Sequence, residues 1–152
     1  MFLLKSITSL EETNNLKNPH RFKYYEQLAH DDTCYWKWRD TNGNFRVFLK
    51  LKADSNSNEY QVEFASKGRQ LDVFVRNLSL PDGGLEQVPH IYRKGSTPER
   101  VNLCLYYNWG SQDEFKYGDA LKTSIIAWTK EWLHYYELFL ITGTWYGNGV
   151  EH

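Results

Sequence analysis

At Thr33 the chain changes period. "TCYWKWR", residues 33–39, sets Cys34, Trp36 and Trp38 against Tyr35, Lys37 and Arg39, and "FRVFLKLKA", residues 45–53, sets Phe45, Val47, Leu49 and Leu51 against Arg46, Lys50 and Lys52. Successive Cβ atoms of a strand point to opposite faces, so this alternation predicts two half-buried strands. The first set of each is the expected core face, which places Cys34, Trp36 and Trp38 inside. Asn42-Gly43 between the runs is a strong hairpin signal, because both residues tolerate positive φ. "EYQVEFA" at 59–65 and "QLDVFVRNL" at 70–78 alternate in the same way and join through a tight turn around Lys67-Gly68. Together the four runs predict an antiparallel meander.

Either side of the meander the period is helical. Ser9 and Glu12 have the spacing of a capping box, and Asn18 precedes Pro19 as a helix cap does, with Phe22, Tyr25 and Leu28 on one face. The first thirty residues are therefore expected to be helical, in one or two pieces. From about Ser124, Ile125, Trp128, Trp132, Tyr135, Tyr136 and Phe139 form a broad apolar stripe that ends at Gly143, a C-terminal stop. Residues 79–100 carry Pro81, Gly83, Gly84, Pro89, Gly95 and Pro98, which break ladders and helices alike. An irregular stretch of that length in a compact domain is functional or disordered. "VNLCLYY", residues 101–107, follows it and reads as a buried strand or the end of one. The fold class expected is α+β: a two-layer sandwich of N-terminal helix, four-stranded antiparallel meander, irregular active-site segment and C-terminal helix.

Composition narrows the partners. The 152 residues fit one domain, 1–152, able to bury about 70% of the surface of its unfolded chain. No run approaches the roughly 18 apolar residues of a membrane span, and "MFLLKSITSL" is too short in its apolar part for a secretory signal, so a cytoplasmic location is expected. A net charge of -1 with scattered Lys and Arg leaves no footprint for nucleic acid or a membrane surface. The expected partner is a protein or a small molecule. Cys34 and Cys104 lack the spacing of a zinc site or a redox pair, and the chain has no phosphate loop, dinucleotide fingerprint or metal-spaced His cluster. No cofactor and no metal are expected. The aromatic content, 16%, fits a peptide- or carbohydrate-binding module as well as an enzyme.

Two residues stand out as candidate chemistry. Cys104 lies at the exit of the irregular segment, just before Asn108, Trp109 and Gly110, where a loop is held by a rigid scaffold. His90, in "VPHIY", is on the same segment, fourteen positions upstream. A thiol with a histidine suits nucleophile and base, while a small hydrophobe and a structural histidine fit the same letters. Cys34 keeps the packing reading.

The order helix, meander, His-bearing segment, then Cys-Leu resembles the ubiquitin-conjugating enzyme fold. More specifically, "PHIY", "LCL" and the Trp-rich "WTKEWLHYYELFLITGTWYGNGVEH" resemble the stand-alone ubiquitin-conjugating-like proteins of bacterial antiphage operons of the CBASS type II. The resemblance implies acyl transfer: Cys104 forms a thioester with the C-terminal carboxylate of a partner protein and passes it to an amine, with His90 as oxyanion donor or structural brace. It implies a nucleotide cyclase, a cyclic-oligonucleotide synthase, as the conjugated partner, and a separate activating enzyme or a donor that arrives activated. The family's His-Pro-Asn is absent, since Pro89-His90 runs into Ile91. That leaves the oxyanion donor open among His90, Asn102 and Asn108. Trp145 and His152 either close over the site or cap the core. The rival readings are a non-catalytic binding module on the same fold and a cysteine hydrolase.

Overall fold

The computed structural model describes residues 21–67, 70–105 and 120–147. Helix α1 (Arg21–Ala29) leads into a five-stranded antiparallel sheet in the order β1-β2-β3-β4-β5. The strands are β1 (Cys34–Arg39), β2 (Phe45–Lys52), β3 (Glu59–Lys67), β4 (Gln70–Arg76) and β5 (Arg100–Asn102). Helix α2 (Ile125–Thr142) is the last helix among the described residues. The expected meander thus gains a fifth strand from the start of the Cys-bearing run. The capping signals at Ser9, Glu12 and Asn18 lie outside the described residues.

One face of the sheet carries Phe45, Val47, Leu49, Leu51, Val62, Phe64, Val73, Val75 and Val101, all buried. Tyr24 and Leu28 of α1, and Ile125, Trp132, Leu133 and Tyr136 of α2, complete the same core cluster. Each such side chain contributes about 1.5–3 kcal/mol by leaving water, which is why the strands keep strict alternation here. Asp40 shapes the first hairpin by accepting from the N–H groups of Asn42 and Asn44, both at 2.9 Å, while Gly43 supplies the positive φ of 86°. Gly143, at φ 78°, ends α2 with its N–H on the Phe139 carbonyl at 2.8 Å.

Strand β1 departs from the expected pattern. Cys34 pairs with Leu49, but Trp36 pairs with Phe48, so one residue is inserted at Tyr35. A bulge of one residue transfers every later side chain to the opposite face. Cys34 stays partly buried against the core, whereas Trp36 and Trp38 are turned outward and are 47% and 45% exposed. The expectation that all three share the core face is corrected accordingly. Arg39, now on the helix side, lies over the rings of Phe22 and Tyr25 at 4.9 and 5.0 Å.

The outer face holds a buried charge cluster. Glu63, fully buried, sits between Phe48 and Phe74 across the ladder. It accepts from Arg46 Nε at 2.8 Å, Arg76 Nη1 at 3.0 Å, and Arg100 Nε and Nη2, both at 3.0 Å. Burial pushes its carboxyl up, but the hydrogen bonds and charges of Arg100 and Arg46 outweigh that and hold it at about 2. Four neighbouring strands are pinned through one carboxylate.

Candidate functional site

Residues 79–100 form short helical turns at Gly84–Gln87 and Arg93–Gly95 rather than a ladder. They run beside β5 and the residues that follow it, with antiparallel bridges at Thr97–Arg100 and Ile91–Leu103 and the Tyr92 N–H on the Asn102 carbonyl at 2.9 Å. The Ile91–Leu103 bridge is the one next to the candidate residues. That bridge sets His90 opposite Cys104: the Cys104 N–H donates to the His90 carbonyl at 3.0 Å. Leu103 N–H turns the other way, to the Val73 carbonyl of β4 at 2.8 Å. The cysteine therefore follows a residue clamped between the sheet and the irregular segment. Both candidates are buried, at 8% exposure each.

His90 has φ 52°, a left-handed backbone that costs a residue with a Cβ about 1–2 kcal/mol. Its carbonyl collects a second donor, the indole Nε1–H of Trp132 at 3.1 Å. Trp132 is fixed in turn by stacking on Tyr136, with ring centroids 4.9 Å apart. The His90 ring meets Trp145 at 5.1 Å. Trp145 thus both reaches the candidate site and packs on the core, joining the two alternatives open in the sequence. His152 and Asn108 lie outside the described residues.

Asn102 is buried two residues before Cys104. Its N–H donates to Ser96 Oγ at 2.8 Å, and its Oδ1 has no donor among the described residues. On β4, burial raises the Asp72 carboxyl above its ordinary range, with Arg100 pulling it back. Asp72 is the residue next to Val73 in the direction Cys104 follows from Leu103. Neither Trp132 nor Asp72 carries a local motif. Trp132 shows only as one aromatic of a helical stripe, and its hydrogen bond to residue 90 is a product of packing.

Among the described residues no group of three or more His, Cys, Asp or Glu is arranged to hold a metal, and no helix is long and apolar enough to cross a membrane. The fold and the juxtaposed cysteine and histidine define an α+β domain of the E2-like, ubiquitin-conjugating-like class. A family model described as "Type II CBASS E2 protein" matches residues 24–152, and the chain belongs to that family. A search of curated proteins finds no match to the chain.

Proposed function

We propose that this protein is a cysteine-dependent acyl carrier of antiphage defence, with Cys104 as its nucleophile. The observation that supports the reading is the pairing of Cys104 with His90 in a chain of the type II CBASS E2 family. The Cys104 sulfur attacks the activated C-terminal carbonyl of a partner protein. The S–C bond forms, the activating group leaves, and the thiol proton passes to a base. An amine then attacks the thioester, the amide bond forms, the C–S bond breaks, and the proton given up by the amine returns to the departing thiolate by way of the base. The tetrahedral oxyanion of each step needs a donor, worth on the order of 3 kcal/mol, and His90 is the first candidate. The partner is a protein of the same defence system, a cyclic-oligonucleotide synthase. Its carboxylate is activated by a separate enzyme or arrives activated, and the protein acts in the cytoplasm.

Intact mass, without reductant, of the chain expressed with its native neighbours tests this. A protein-sized adduct that thiol reagents remove, and that Cys104→Ala lacks, is expected. Bare chains from both, with partners and ATP present, would exclude the thioester. The burial of Cys104, 8% exposed, favours the second reading, a non-catalytic binding module in which the thiol is packing. That reading predicts the bare chains.

A further inference from the structure

We propose, resting on the thioester reading above, that Trp145 is a positioning residue that holds the His90 ring beside Cys104. The helix α2 stops at Gly143 and the chain returns along it, with the Thr144 N–H on Thr142 Oγ1 at 3.1 Å. This return delivers the Trp145 indole to an aromatic nest of Trp132 at 5.5 Å, Tyr135 at 6.0 Å and Phe139 at 6.4 Å. The remaining side of the indole meets the His90 imidazole at 5.1 Å, the planes tilted by 38°. The return is tight enough to require glycine at 147, where a Cβ would stand 2.7 Å from Tyr135 Cδ2 and 2.8 Å from Trp145 Nε1.

The two tryptophans divide the work. Trp132 holds the His90 main chain through its carbonyl, and Trp145 meets the ring. A histidine in a left-handed backbone has its Cβ directed by an unusual φ, so local propensity does not choose its ring orientation. Packing must, and the Trp145 indole packs against that imidazole. The nest also retains Trp145 at a cost: its Nε1–H is buried with no acceptor among the described residues. The ring face, rather than the N–H, is the part that acts on His90.

The full chain, labelled with 15N and 13C at histidine, reports this directly. His90 ring resonances are identified by their loss in His90→Gln, and a neighbouring indole displaces them by its ring current. Trp145→Ala is expected to return those resonances toward the values of exposed histidines, and to slow formation of the Cys104 adduct about tenfold, as loss of orientation does. Trp145→Phe keeps a ring in the nest and is expected to restore both, the rate to within about threefold. Trp145→Leu, which fills the space without a ring, serves the same comparison where the alanine chain does not fold. His90 resonances unmoved in Trp145→Ala and Trp145→Leu overturn the proposal, as does Trp145→Phe behaving like Trp145→Leu. If no chain forms an adduct, wild type included, the thioester reading fails, while the His90 resonances still decide whether Trp145 positions the ring.

Discussion

The carbonyl of His90 accepts two hydrogen bonds, one from the main-chain N–H of Cys104 at 3.0 Å and one from the indole of Trp132 at 3.1 Å. The first ties the candidate nucleophile to the irregular segment, and the second ties that segment to helix α2. A peptide group held from both sides keeps a backbone conformation that it would leave if either donor were lost.

His90→Gly and His90→Ala separate backbone from ring. Both remove the imidazole, but glycine adopts φ 52° without strain and alanine does not. His90→Gly is expected to be more stable than His90→Ala by about 1 kcal/mol in urea denaturation. On the proposed function, both should lose the Cys104 adduct by intact mass. Equal stabilities would mean that the left-handed backbone is not retained in solution.

Trp132→Phe removes the indole donor while keeping most of the buried area. The expected cost is about 1–2 kcal/mol, read from denaturant midpoints at constant slope. Trp36→Ser provides the contrast. Its ring is half exposed and meets Phe48 edge-on at 5.3 Å, so it should cost about 1 kcal/mol or less. If Trp36→Ser were as damaging as a core truncation, the bulge at Tyr35 would be wrong.

Gly147→Ala forces the edges of Tyr135 and Trp145 apart, since the new Cβ falls within 3 Å of both. Overpacking of this kind costs about 1–3 kcal/mol. The displaced indole should also redden tryptophan emission in the native chain. Thermal unfolding and fluorescence of the variant check both, and an unchanged melting temperature with unchanged emission would refute the tight return.

Glu63 makes stability depend on acid. Its folded carboxyl is held at about 2 against an ordinary 4.5, so the folded state favours the ionised form. That stabilisation is fully present above pH 4.5 and is lost as pH falls from there toward 2. Linkage gives about 3 kcal/mol for such a depression. Glu63→Gln is therefore expected to be less stable than wild type by about that amount at pH 7, with the gap closing as pH drops below 4.5. Urea midpoints of both chains from pH 7 to pH 3 measure it. A gap independent of pH would show that the carboxylate charge is not what the arginines hold.

Local rules account for much of this chain. Alternation along β2 determines its buried face from Phe45 to Leu51 because a strand with one face in the core cannot slip register without turning that face to water. The Asn42-Gly43 turn and the Gly143 stop follow from the few residues that tolerate positive φ, and the stripe from Ile125 to Phe139 from the helical period. Cys104 and His90 were legible as residues on one irregular segment, and the resemblance named the family that matches residues 24–152. Tertiary structure decided the rest. The bulge at Tyr35, which turns Trp36 and Trp38 outward, depends on how β1 meets β2, and no residue of β1 announces it. The burial of Glu63 depends on three arginines, 13, 17 and 37 positions away in the chain, reaching one point of the outer face. The apposition of His90 with Cys104, and the approach of Trp132 and Trp145 to His90, join segments whose distance in sequence carries no signal of contact. Sequence periodicity records which face of an element avoids water, whereas a site is made where faces of different elements meet.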